Sequence, residues 1–242
     1  MSRILFAAAL LATTALPAFA ESVNVAVAAN FTAVAQALEP IFEAETGHEL
    51  QLSFGATGQF CTQISQGAPF GVFLAADTAR PELALAEGFA VDGTFFVYAQ
   101  GRLALFGPDR DMSDGEAALS ADFSQIAIAD PQAAPYGKAA VETLTALGLY
   151  EAIEPKVVWG ENISQTLQFV DTGNAELGFV AASQVLDKDD KWIVPEELHA
   201  PIAQGAVLLK EGQTNPAAIA FMEFLKSDQA VAIIEAAGYS VP

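Results

Sequence analysis

Cysteine is almost missing from this chain: Cys61 stands alone among 242 residues. A single thiol forms no intrachain disulfide and builds no thiolate metal cluster, so a small buried hydrophobe is its expected role. Histidine is as scarce. His48 and His199 have no partner at ligand spacing, which leaves them structural or surface roles. Basic residues number 10 against 30 acidic ones, for a formal net charge of −20. Such a surface argues against nucleic acid or anionic lipid as a partner. It also works against an anionic ligand, yet salt screens charges beyond about 8–10 Å, so short-range donors inside a cleft decide that case. Two catalytic signatures are absent as well. No Gly-Lys-Ser/Thr follows Gly55–Gly58, which rules out a phosphate-binding P-loop, and there is no Gly-x-Ser-x-Gly elbow or nucleophile paired with a base. The chain does not read as an enzyme.

Long apolar runs are missing beyond the N-terminus. Arg3, the short run Ile4–Ala12 and the small-x-small triplet Ala18-Phe19-Ala20 have the layout of a secretory signal peptide over residues 1–20, with Glu21 as the mature start. A membrane anchor needs about 18 continuous apolar residues, and Thr13, Thr14 and Pro17 interrupt this run. Export of a soluble, mature chain is expected, one charge more negative once Arg3 is removed. The hydrophobic share of 52% supports a substantial core.

What is present is an alternation of strand and helix. Val23–Val27 and Leu50–Phe54 read as strands, and Val72–Ala75 as a buried one. Val34, Leu38, Ile41 and Phe42 recur at helical spacing up to Gly47, with Pro40 predicting a kink or break; Phe60 and Ile64 mark a second helix. A second set starts near Gly101. It has strands at Leu103–Phe106, Ile126–Ala129, Val157–Val158 and Leu177–Val180, a helix from about Tyr136 to Gly148, and a helix that Asn162 caps and Gly173 ends. The tail holds a strand at Ala206–Leu209 and helices at 216–225 and 229–236. Repeated βα units predict parallel sheets covered by helices. Two groups without a flexible linker suggest two α/β lobes with crossing strands near Gln100 and Gln204. Lobe 1 then comprises 21–100 and 205–242, and lobe 2 comprises 101–204.

Four strand-to-helix corners carry small or hydrogen-bonding residues: Ala29-Asn30-Phe31-Thr32, Gly55-Ala56-Thr57-Gly58, Pro135-Tyr136-Gly137 and Glu161-Asn162-Ile163-Ser164. The first turn of a helix leaves N–H groups unpaired and carries about half a positive charge. Several such ends converging bind an anion without charged side chains, and in open α/β sheets these corners gather at the carboxyl edge. Each corner taken alone also fits a plain cap or tight turn. Asp109, Asp111, Asp114 and Gly115 faintly suggest a calcium loop, but the ligand positions fail and a solvated turn is the better reading. Lys188–Lys191 reads as a charged surface loop.

The stretches Val27-Ala28-Ala29-Asn30-Phe31, Ser53-Phe54-Gly55-Ala56-Thr57-Gly58, Gly67-Ala68-Pro69-Phe70, Leu74-Ala75-Ala76-Asp77, Ala129-Asp130-Pro131 with Pro135–Ala140, Gly160-Glu161-Asn162-Ile163 and Leu177-Gly178-Phe179-Val180 follow one another over nearly the whole mature chain. In this they resemble the periplasmic molybdate-binding proteins of ABC transporters. The resemblance implies an α/β class II periplasmic binding protein with two Rossmann-like lobes joined by a two-strand hinge. It implies ligand contacts from Asn30, Thr57, Tyr136 and the Ile163 amide, with backbone donors from Ala29 and Ala56. The ligand would be molybdate or tungstate, held as an oxyanion with no cofactor and no direct metal–protein bond. The partner would be the membrane permease of an ABC importer, the location the periplasm and the protein a monomer. Many relatives carry serines where Asn30 and Thr57 stand, and some a tyrosine where Ala181 stands. Neutral donors suit a fully deprotonated dianion. A protonated phosphate would want an acceptor carboxylate, and Glu161 and Asp130 lie close to corners in sequence. The same fold holding sulfate, phosphate or a metal ion is the alternative, and a periplasmic hydrolase the rival from another class. Iron binders of this fold cluster tyrosines, whereas Tyr98, Tyr136, Tyr150 and Tyr239 include no adjacent pair.

Overall fold

The computed structural model describes residues 20–242; the expected leader, but for Ala20, lies outside the described residues. In chain order the elements are β1 (Ser22–Ala28), α1 (Thr32–Thr46), β2 (Glu49–Gly55), α2 (Thr57–Ser65), β3 (Val72–Leu74), α3 (Ala79–Ala86), β4 (Phe96–Gly101), β5 (Leu103–Phe106), α4 (Gly115–Ser120), β6 (Ile126–Ala129), α5 (Pro135–Ala146), α6 (Tyr150–Ile153), β7 (Val157–Gly160), α7 (Ile163–Asp171), β8 (Leu177–Ala181), β9 (Lys191–Ile193), β10 (Ile202–Leu208), α8 (Pro216–Phe224) and α9 (Asp228–Ala236). Among the described residues no helix is long and apolar enough to cross a membrane.

The strands form two five-stranded sheets of matching topology, β2-β1-β3-β10-β4 and β7-β6-β8-β5-β9. In each, three strands run parallel, as the βα alternation predicts. One strand in each departs from the all-parallel expectation, and the edge strand beyond it, β4 or β9, again runs with the first three. β10 lies antiparallel between β3 and β4, and β5 lies antiparallel between β8 and β9. The reason is the crossing itself. The chain leaves the first sheet at Gly101, enters the second at Leu103, and returns after β9, so each crossing delivers one strand against the local direction. Ile202–Gln204 pair with Gly101–Ala99 and so belong to the first sheet, ahead of the 204/205 boundary read from the pattern.

Both sheets are covered on both faces, which is why their strands are rich in Val, Ile, Leu and Ala. Val23, Val25 and Val27 of β1 face Phe31, Leu38, Phe42 and Phe221 of α1, α8 and the turn before α1. Ala26, one residue out of phase, faces Phe60 and Ile64 of α2. In the second sheet Ile126 and Ile128 face Leu144 of α5, and Ala127 faces Val170 of α7.

Pro40 does not break α1, which runs continuously from Thr32 to Thr46. Pro40 is exposed, while Leu38 and Phe42 beside it are fully buried. Their burial outweighs the roughly 3 kcal/mol that an interior proline costs. Cys61 is half-buried on α2 rather than buried, and partial burial pushes its thiol pKa up. The Asp114 carboxylate caps α4 through the N–H groups of Glu116 and Ala117. Among the described residues no group of three or more His, Cys, Asp or Glu could hold a metal ion. The pattern leaves α4, α6 and β9 unmarked because each is too short to show two full periods, and α3 because it buries only Pro81 and Ala84, with no large apolar repeat.

Candidate functional site

Each corner is built by local sequence. β1 ends at Ala28, and Ala29–Phe31 form a single 3-10 turn leading into α1. The turn is anchored by Phe31, fully buried and packed edge-on against Tyr98 and Tyr239. At the second corner Ala56 is the extended residue ahead of α2 and offers no side-chain cap. At the third, Pro135 opens α5 as its first residue. Gly137 then lets the helix lie tight against β6, since a Cβ there would meet the Ala129 carbonyl oxygen at 2.0 Å. At the fourth, the Asn162 carboxamide oxygen accepts from the N–H groups of Ser164 and Gln165. Of the donors in that first turn, the cap leaves the Ile163 N–H for another acceptor.

The four corners meet. Ala28, Ala29, Asn30, Gly55, Ala56, Thr57 and Ala76 from one lobe, with Ala134, Pro135, Tyr136, Asn162 and Ile163 from the other, line one small hollow of about 10 Å³. All six residues singled out in the sequence, Ala29, Asn30, Ala56, Thr57, Tyr136 and Ile163, are among them. The walls touch across the cleft: Gly58 N–H donates to the Ala133 carbonyl at 2.9 Å, and Ser164 Oγ to the Ala29 carbonyl at 3.1 Å. At the rim the Arg80 guanidinium, paired with Asp77, donates to the Gln132 carbonyl at 2.6 Å.

Proton directions within the site follow from the bonds around it. Thr57 Oγ1 accepts the Ala76 N–H at 3.0 Å, so its own proton is free for the hollow. Tyr136 Oη accepts from Gln204 Nε2 at 3.2 Å, and a hydrogen bond to Tyr239 favours its protonated form. The Asn30 Nδ2 donates to Gln204 Oε1 at 2.9 Å and to Tyr239 Oη at 3.1 Å, so its carboxamide protons are engaged behind the site. Tyr239 donates its proton to the Asn30 carbonyl at 2.8 Å, and its contact with Ser183 Oγ at 2.9 Å therefore has Ser183 as donor. Burial raises the pKa of Tyr136 and Tyr98 well above the ordinary phenol value, and neighbouring phenols add to the effect. The Tyr136 phenol is therefore a neutral donor throughout the physiological range.

The lining holds no carboxylate and no cation. Asp130 accepts from the Gln132 N–H in its own turn. Glu161 is exposed and outside the hollow, and Lys138 faces a neighbouring cavity and pairs with Glu142 at 3.7 Å. Sequence reading missed Gln204, Tyr98, Tyr239 and Ser183, which sit behind the lining. One signal was available: Gln204 is a lone polar residue within the apolar run Ile202–Leu208, and a buried amide demands partners.

The bacterial extracellular solute-binding protein family model matches residues 23–240. The molybdate-binding protein ModA of Rhodobacter capsulatus is 50% identical over 236 residues, 96% of this chain and 94% of its own. That of Azotobacter vinelandii is 49% identical over 230 residues, 92% and 91% of the two chains. The solved periplasmic molybdate-binding protein of Azotobacter vinelandii matches the fold with a TM-score of 0.86 at 36% identity, covering 91% of this chain and 99% of that one.

Proposed function

Because the chain belongs to the bacterial extracellular solute-binding proteins, we propose that it captures molybdate or tungstate between its lobes and delivers it to the permease of an ABC importer. The observation that carries this reading is the convergence of neutral donors from four helix starts on one hollow without a carboxylate. The first lobe would offer the N–H groups of Ala29, Asn30, Ala56 and Thr57 with the Thr57 hydroxyl. The second would offer the N–H groups of Tyr136 and Ile163. Asn30 then acts through its backbone, its carboxamide being committed to Gln204 and Tyr239.

A tetrahedral dianion accepts at every oxygen and needs no acceptor from the protein. In a water-excluded site each charge-assisted bond contributes about 1.5–3 kcal/mol. A protonated phosphate would turn a proton toward donors with nothing to receive it, so sulfate is the nearer competitor. We place the lobe crossings at Arg102 and within 194–201, and infer export on the leader at residues 1–20 to the periplasm, action as a monomer, and no nucleic-acid partner.

Titration calorimetry of the mature protein with molybdate, tungstate, sulfate and phosphate tests the reading. Submicromolar affinity for the first two, with weak competition by the others, is expected. Micromolar or weaker binding of both molybdate and tungstate removes it.

A further inference from the structure

We propose that Arg80 is a positioning residue that latches the closed cleft and slows release of the bound anion. The proposal rests on the oxyanion reading above. Arg80 stands in the first turn of α3, outside the hollow. The Asp77 carboxylate accepts the Arg80 N–H at 3.1 Å through Oδ1 and pairs with the guanidinium through Oδ2. One side of the guanidinium is thereby fixed to its own lobe. Its Nη2 reaches across the cleft and donates to the Gln132 carbonyl at 2.6 Å. A planar fork suits this task, because it serves two acceptors at once in set directions.

The turn that Arg80 holds is tied down on its own side. The Asp130 carboxylate accepts the Gln132 N–H at 2.9 Å, and the Asp130 carbonyl accepts from Ala133 at 3.1 Å and Ala134 at 2.8 Å. The turn runs directly into Pro135 and Tyr136, so a hold on Gln132 is a hold on the third corner. Beside it the Gly58 N–H donates to the Ala133 carbonyl at 2.9 Å. Gly58 lies in the first turn of α2, a helix with no side-chain cap. A carbonyl of the opposite lobe takes the place of that cap, and opening the cleft breaks the bond. The approach is close: a Cβ at Gly58 would stand 3.1 Å from Ala133 Cα, from the Ala133 carbonyl oxygen and from Arg80 Nη2.

Dissociation rates distinguish a latch from a charge. A contact made across the closed cleft acts on release, whereas long-range charge acts on association and fades with salt. The measurement is loss of labelled molybdate from the mature protein, chased with unlabelled molybdate. Arg80→Lys keeps the charge but has no planar fork to hold Asp77 and Gln132 together, and should release the anion about threefold faster or more. Arg80→Met keeps an unbranched stem without donors and should release it about fivefold faster or more. Its association rate should drop at low salt, where Asp77 is left without its countercharge, and match wild type at high salt. Arg80 is partly exposed, so both variants should melt close to wild type without ligand.

Gly58→Ala attacks the same contact from the other side. Alanine is the better helix former, so the ligand-free protein should melt no lower than wild type. The added methyl crowds Ala133 and Arg80 and should speed release. Stability and retention then move in opposite directions, which a purely structural role does not produce. Wild-type dissociation in Arg80→Met or in Gly58→Ala overturns the proposal. So does wild-type dissociation in Arg80→Lys, which leaves Arg80 a charge effect alone. A lowered melting transition in all three ligand-free variants also overturns it, in favour of a role in folding. A wild-type chain that binds neither molybdate nor tungstate instead sinks the oxyanion reading itself.

Discussion

Thr57 shows how a single side chain can serve the fold and the site together. Its hydroxyl oxygen receives the buried Ala76 N–H, and its proton remains for the ligand. Thr57→Val removes both bonds. Leaving the Ala76 N–H without an acceptor should lower stability by about 1–3 kcal/mol, and loss of the donor should weaken molybdate binding by about tenfold or more. Thr57→Ser keeps the hydroxyl and should retain affinity within a few-fold. Urea denaturation and calorimetry on the pair separate the two effects. At this scale Thr57, Asn30 and Tyr136 were legible because their residue types stand at helix starts. The inward turn of the Asn30 carboxamide was not, because Gln204 and Tyr239 lie 174 and 209 residues away.

The elements of the site are helix starts, and in α7 the N–H of the first helical residue can be deleted, at the cost of some packing because the Ile163 side chain is buried. Asn162 precedes it with extended backbone, φ −152° and ψ 173°, a conformation that tolerates a following proline. Position 163 is the first helical residue, where proline fits because its missing N–H has no intrahelical partner. Ile163→Pro should therefore keep the helix and delete the one donor that the Asn162 cap leaves free. Circular dichroism should stay close to wild type while molybdate affinity drops by about tenfold or more. A variant that binds as tightly as wild type would remove Ile163 from the site. The strands and long helices were readable from their periods. The antiparallel placement of β5 and β10 was not, because strand direction depends on where the chain crosses between lobes, and periodicity carries no such information.

For the molecule as a whole the net charge of −20 opposes the approach of a dianion. Salt screens that repulsion over distances beyond about 8–10 Å and leaves the contacts inside the hollow largely unaffected. Raising ionic strength should increase the association rate and leave the dissociation rate nearly constant, as stopped-flow tryptophan fluorescence would measure. A rate that falls with salt would point to a local basic funnel instead. The buried phenols make a second global prediction. Tyr98, Tyr136 and Tyr239 all have raised folded-state pKa values, burial being the main cause. Their contribution is fully present below the unfolded value of about 10 and is lost as pH climbs from there through the folded values. Each phenol then costs about 1.4 kcal/mol of stability per pH unit in that window. Denaturation midpoints should fall steeply above about pH 10, and Tyr98→Phe should flatten the decline.

The amino-acid order by itself determined the βα alternation, the four corners and the neutral character of their donors, since period, caps and residue type are local properties of a chain. Only the tertiary structure decided that the corners share one hollow, and which way each proton within it points. Those outcomes depend on Gln204 and Tyr239, brought beneath the site by two crossings of the chain, and contacts over such separations leave no local pattern to read.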